Sequence, residues 1–218
     1  MRLPRRSRAG SRAYHAHGSI PVMAHAFYGP RVGEALQLAA DAFAARARKG
    51  SGAPYLTHLL SVTTLVMEHG GDEDQICAAA LHDYLEDIPG AQASELEARF
   101  GARVTRLVRA LSDATDAQNK APWKPRKLAY LAHLRDEPAE VKLISAADKL
   151  HNARSIVDDH QRMGDEVFTR FTASREETLW YYREVVRALA HDFDHPLVDR
   201  LRDAVRDIHR ATGLDADV

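Results

Sequence analysis

The stretch Ile76-Cys-Ala-Ala-Ala-Leu-His82-Asp83-Tyr-Leu-Glu86-Asp87 constrains this 218-residue chain more than any other. A run that is apolar on every side has to be buried, yet this one passes within one residue into a cluster of four ionisable side chains. On a helix, residues three and four apart share a face, so the spacing predicts Glu86 over both His82 and Asp83, and Asp87 over Asp83. An imidazole beside a carboxylate offers nitrogen and oxygen donors to a divalent cation. Two carboxylates one turn on are placed to orient a water and take its proton. Taken alone, such a tetrad reads better as a solvated helix end laced by i,i+4 pairs. The buried run in front of it favours a site.

A site of this kind needs further ligands, and the chain offers them on both sides. His58 follows Pro54-Tyr-Leu-Thr, and Asp148 interrupts the nearly all-apolar segment holding Val141, Leu143, Ile144, Ala146 and Ala147. A carboxylate inside such a segment is costly unless it is paired or bound to metal. The candidate ligands are therefore His58, His82, Asp83 and Asp148, with Glu86 and Asp87 as the acid–base pair. Two imidazoles and two carboxylates without thiolate suit Mn²⁺ or Fe²⁺ and accept Zn²⁺. Four protein ligands leave one or two positions of an octahedral ion for a water and a phosphate oxygen.

The remainder reads as helix almost throughout, which predicts an all-α helical bundle. Helical stripes run from Pro30 to Arg48, from His58 to His69, from Ile76 to Leu85, from Val104 to Leu111, from Arg126 to Arg135, onward from Pro138, and from Leu179 to Ala190 and Pro196 to Thr212. Asp72 with Gln75, Ser94 with Glu97, and Ser174 with Glu177 have the spacing of capping boxes. Residues 112–125 read as a loop. No period-2 alternation marks a strand, and no internal repeat is present. Residues 1–26, rich in Arg, Ser and Gly, have the composition of a flexible basic tail, and 27–218 that of one domain.

Composition removes several classes of function. A formal net charge of −1 lacks the basic excess of a nucleic-acid binder. No apolar stretch approaches the ~20 residues of a membrane span, and no secretory signal is present, so a cytoplasmic protein is expected. The single cysteine, Cys77, lies in the apolar run and reads as a buried structural thiol. The remaining histidines, His69, His133, His160, His191, His195 and His209, read as surface or satisfied core residues.

The set His58, His82-Asp83-x-x-Glu86-Asp87 and Ala147-Asp148-Lys-Leu-His-Asn152 carries the signature of HD phosphohydrolases. More narrowly, it resembles the hydrolase domain of the RelA/SpoT proteins, in its free-standing form a small alarmone hydrolase of the metazoan SpoT homologue type. The resemblance extends from about Pro30 to Leu189 and includes Arg48-Lys49-Gly-Ser-Gly-x-Pro54-Tyr55. It implies a manganese-dependent removal of the 3′-pyrophosphate from ppGpp and pppGpp, giving GDP or GTP and pyrophosphate. Arg48, Lys49, Asn152 and Ser155 match the family's nucleotide contacts. Lys124, Arg126 and Lys127 are further candidates for meeting the pyrophosphate. The chain has no room for the synthetase of the long RelA/SpoT proteins, so hydrolysis alone is expected.

One departure stands out. The family pattern His-x-Gly-Gln-x-Arg is replaced here by Phe43-Ala-Ala-Arg46-Ala-Arg48, which leaves the adenosine alarmones ppApp and pppApp open as substrates. The alternatives are an HD phosphohydrolase acting on a nucleoside monophosphate or on NADPH, or a nucleotide-binding regulator without turnover.

Overall fold

The computed structural model describes residues 27–112 and 122–214; the predicted tail lies outside them, as does most of the 112–125 loop. Among the described residues the chain is all-α, with a single isolated bridge between Ala47 and Pro54. The helices are α1 (Arg31–Ala42), α2 (Leu56–Glu68), α3 (Glu73–Leu81), α4 (Tyr84–Asp87), α5 (Ala93–Phe100), α6 (Ala102–Leu111), α7 (Trp123–Asp136), α8 (Ala139–Met163), α9 (Arg175–Ala190) and α10 (Pro196–Ala211). A 3-10 segment, Gly164–Arg170, lies between α8 and α9.

Helix α3 sits at the centre. It packs against α1, α2 and α6 and also touches α8, which explains why Ile76 to Leu81 are all buried and why small alanines fill three successive positions. On α1 the inward stripe is Val32, Ala35, Ala39, with Phe43 just beyond the helix end, a 3- and 4-residue repeat that turns one face to the core. Each large apolar side chain fully buried in this way, such as Phe100, Leu107 or Ile144, contributes about 1.5–3 kcal/mol. Helix α8 packs on α2 and along α10, so the segment from Val141 to Asp148 is shielded from both sides. Cys77 is buried, and burial pushes its thiol up to about 11.

Two of the three predicted capping boxes form, those of Asp72 with Gln75 and Ser174 with Glu177. The third does not. Helix α5 starts after Gln92, without a side-chain cap, because the Pro89-Gly90 turn, closed by Ala91 N–H to the Ile88 carbonyl, delivers the chain into the helix before Ser94 is reached. Helix α7 likewise begins earlier than the periodicity indicates, at Trp123, with Pro125 in its first turn, where a missing N–H costs nothing.

Candidate metal centre

The single helix expected from Ile76 to Leu85 is two. Helix α3 ends at Leu81, His82 keeps helical dihedrals, Asp83 flattens to φ −92°, ψ 0°, and α4 restarts at Tyr84. The cause is local: His82 Nδ1 donates to the Ala79 carbonyl at 2.8 Å, the acceptor that the Asp83 N–H would use in an unbroken helix. The same bond fixes the imidazole. With Nδ1–H committed, Nε2 faces inward.

Around that nitrogen the predicted residues gather. His82 Nε2 lies 3.2 Å from His58 Nε2, 3.1 Å from Asp83 Oδ2 and 3.7 Å from Asp148 Oδ1. His58 Nε2 lies 3.5 Å from Asp83 Oδ2 and 3.3 Å from Asp148 Oδ1. Donor atoms of His58, His82 and Asp148 all fall within 4.8 Å of one another, and all three residues are buried. Asp83 is within reach of both imidazoles but stands outside that tightest group. Burial opposes every charge here. Even so, the facing imidazoles hold Asp83 well below the usual carboxylate range, and for Asp148 the Lys149 ammonium leads the same effect. Those carboxylates in turn raise His82 against its burial.

Three residues that carried no assignment hold this quartet in place. The Tyr55 hydroxyl donates to Asp83 Oδ2 at 2.7 Å, and burial pushes its phenol pKa up, so it stays a donor. His151 Nδ1 lies 2.8 Å from His58 Nδ1, and burial lowers the His151 pKa to about 4, so a neutral His151 can accept at Nδ1 from a neutral His58 that donates. That leaves the Nε2 lone pair of His58 facing the centre. Lys149 Nζ sits 2.6 Å from Asp148 Oδ2, and burial is outweighed by that carboxylate in keeping it charged. His151 lies three residues beyond Asp148, on the same helix face, and that spacing was the available signal for it.

The donor set fits a divalent cation. Two Nε2 atoms with their Nδ1–H groups committed elsewhere, and two carboxylates of depressed pKa, are neutral-nitrogen and anionic-oxygen donors without a thiolate.

The basic pair belongs to the same assembly. Arg48 N–H donates to the Ala53 carbonyl and Tyr55 N–H to the Arg46 carbonyl, at 2.8 and 2.9 Å, so the 46–55 loop folds back on itself. Tyr55 stacks on Phe43, with ring centroids 5.1 Å apart, and the Arg46 and Arg48 guanidiniums lie over the Phe43 and Tyr55 rings respectively. Arg48 Nη2 donates to Asn152 Oδ1 at 2.8 Å, and Asn152 Nδ2 donates to Asp148 Oδ1 at 2.6 Å. Arg48, Lys49 and Asn152 line a cavity of about 530 Å³ together with Asp87, Lys127 and Lys149, facing aromatic walls from Trp123, Tyr181 and Tyr182. Ser155 donates to the His151 carbonyl and lines a separate cavity of about 170 Å³ on the other side of Arg48 and Lys49. Lys124 instead lies over the Trp180 ring, 3.1 Å from its centroid.

A family model described as HD domain matches residues 35–179. The guanosine-3′,5′-bis(diphosphate) 3′-pyrophosphohydrolase of Haemophilus influenzae is 31% identical over 114 residues, covering 50% of this chain and 16% of that protein. The bifunctional (p)ppGpp synthase/hydrolase SpoT of Escherichia coli is 33% identical over 132 residues, 58% of this chain and 18% of that protein. The matched segment thus spans less than a fifth of the length of these curated relatives. Among solved structures, a metazoan orthologue of SpoT, described as hydrolysing ppGpp and acting in starvation responses, superposes with a TM-score of 0.69 at 27% identity, covering 88% of this chain and all of that one. No helix among the described residues is long and apolar enough to cross a membrane. By the extent of the family match, and with its histidines and aspartates gathered as that match implies for a divalent metal, the chain belongs to the HD-domain family.

Proposed function

We propose that this protein is a cytoplasmic metal-dependent hydrolase that removes the 3′-pyrophosphate from (p)ppGpp-type nucleotides, releasing pyrophosphate and GDP or GTP, or the adenosine equivalents from (p)ppApp. The observation that carries this reading is the His58, His82, Asp148 cluster tied, through Lys149 and Asn152 bonded to Asp148, to a cavity whose lining holds five cations and one carboxylate. Such a lining suits a polyanion, and its aromatic wall suits a base or ribose.

In this reading His58, His82, Asp83 and Asp148 hold the metal, with Mn²⁺ favoured over Fe²⁺ or Zn²⁺. The bound cation would supply Lewis-acid charge to the phosphoryl group and lower the pKa of an attacking water. Glu86 and Asp87 orient that water and accept its proton. Arg48, Lys49, Asn152 and Ser155 hold the nucleotide, Arg48 and Asn152 as a hydrogen-bonded pair already tied to Asp148. Lys149 keeps a positive charge beside the developing phosphate anion, where a charge-rich phosphoryl transition state benefits most.

The test is pyrophosphate release from ppGpp and ppApp, and phosphate release from NADPH, by the purified protein with Mn²⁺, beside a His82→Ala control. Release from an alarmone that the control abolishes is the expected result, and the ratio of rates gives the base preference. Metal bound without release from either alarmone would overturn the assignment. Phosphate release from NADPH alone would move it to that substrate.

A further inference from the structure

The cavity beside the metal centre has a cation on its α4 side for which the nucleotide contacts have no use. Arg46, one of the positions where this chain departs from the RelA/SpoT pattern, is fixed at its backbone on both sides: its N–H donates to the Phe43 carbonyl at 3.0 Å, and its carbonyl accepts from Tyr55 N–H at 2.9 Å. Its guanidinium Nη2 donates to the Asp87 carbonyl, Nη1 lies 3.9 Å from the Asp87 carboxylate, and the group rests over the Phe43 ring. The side chain stays 39% exposed and lines the 530 Å³ cavity. A guanidinium has five N–H donors in a rigid fork, and Asp87 occupies one edge of it, leaving the remainder for a ligand.

The position of that fork follows from the chain. Asp87 lies four residues after Asp83, and the Asp87 N–H to Asp83 carbonyl bond of 2.9 Å keeps the two one helical turn apart, roughly 6 Å along the axis. Lys149, also in the cavity lining, is bonded directly to Asp148. A single phosphate at the cluster has Lys149 at hand. A diphosphate reaches one phosphate unit further, on the side where Arg46 is anchored.

We infer that Arg46 is a specificity-determining residue that binds the distal phosphate of the leaving diphosphate, so that the site selects a diphosphate over a monophosphate. This rests on the hydrolase reading for its place in the reaction, while the binding selectivity itself can be tested independently of turnover. Asp87 would hold the fork in register, and the two nitrogen donors of one guanidinium edge would span two phosphate oxygens as a lysine ammonium does not.

The experiment is calorimetric titration of inorganic pyrophosphate and inorganic phosphate into the wild type, Arg46→Gln and Arg46→Lys proteins, at a free Mn²⁺ concentration held fixed by a metal buffer. The wild type is expected to prefer pyrophosphate. Arg46→Gln is expected to weaken pyrophosphate about 10- to 100-fold, as for loss of a charge-assisted contact, and phosphate less than threefold. Arg46→Lys should recover part of the affinity but not the full preference. Equal weakening of both anions, no weakening, or no pyrophosphate preference in the wild type would each overturn the inference. Should Arg46→Gln lose its melting transition, Arg46→Lys carries the same comparison. If the wild type releases no pyrophosphate from any nucleotide yet the anion preference depends on Arg46, the hydrolase reading fails and the diphosphate selectivity stands.

Discussion

Removing the Tyr55 hydroxyl isolates the contact that ties the aromatic stack to the metal centre. In Tyr55→Phe the ring keeps its place against Phe43, and what is lost is the 2.7 Å bond to Asp83 Oδ2. A hydrogen bond to a charged group contributes about 1.5–3 kcal/mol. The Asp83 side chain is 20% exposed, so water recovers part of the loss, which places the cost at about 1.5–2 kcal/mol. For a domain of this size that lowers the melting temperature by about 3–8 °C. The assay is thermal unfolding in excess chelator of the wild type, Tyr55→Phe, Asp83→Ala and the double variant, so that metal binding does not mask the bond. The double-mutant cycle should return a coupling of about 1.5–2 kcal/mol. With metal restored, Tyr55→Phe should bind Mn²⁺ about tenfold or more weakly, as expected when the group orienting a ligand is removed. A coupling below about 0.5 kcal/mol would refute the claim that Tyr55 sets Asp83.

Three further outcomes are expected. Ser174→Ala removes the side-chain acceptor for Glu177 N–H and should cost about 1 kcal/mol by denaturant unfolding, with Ser94→Ala, which caps nothing, close to neutral. Gly50 sits at φ 111° with the Arg170 guanidinium packed where a Cβ would go, so Gly50→Ala should destabilise the fold and loosen the Arg170 to Asp159 pair; a variant as stable as wild type would contradict this. His209 is buried with neither ring nitrogen in a well-formed hydrogen bond, and burial, opposed by the Leu179 backbone and reinforced by Arg183, lowers its pKa. Its neutral form is favoured in the fold, so its contribution is complete above the unfolded value of about 6.5 and is lost as pH falls below it. Replacing it with Leu should therefore flatten the decline in stability on the acid side of pH 6.5, measured as melting temperature against pH.

Much of the site is legible from residue types alone, because each member of the quartet stands where an apolar run meets an ionisable group. His82 and Asp148 cannot be buried cheaply without partners, and that cost is visible in the sequence. What geometry the periodicity misses comes from side chains competing for backbone groups. The helix expected from Ile76 to Leu85 breaks after Leu81 because an imidazole takes a carbonyl, and no hydropathy pattern records that. Asp87 keeps its expected place one turn beyond Asp83, its N–H bonded to the Asp83 carbonyl at 2.9 Å, although α4 restarts after the break rather than continuing the α3 face. Tyr55 was visible only as part of a motif; its contact with Asp83 depends on the 46–55 loop folding back, a long-range consequence of the Ala47 to Pro54 bridge. His209 was expected to be exposed or satisfied; it is buried, with only the Leu179 backbone acting on its ring and no well-formed hydrogen bond.

The face of α8 that carries Asp148, Asn152, Ser155 and Asp159 acts as a ruler. These residues follow one another by four, three and four, close to the helical repeat, and in turn they meet the metal cluster, Arg48, the smaller cavity and Arg170. Because one rotation sets them all, the helix has a reading frame. A side-chain substitution at any one of them alters one contact, whereas inserting or deleting a single residue between Lys149 and Asn152 turns everything beyond it by about 100°. The contacts of Asn152 with Arg48 and of Asp159 with Arg170 would then be lost while Asp148 kept its place, and variation among relatives along this segment should run to replacements and not to changes in length.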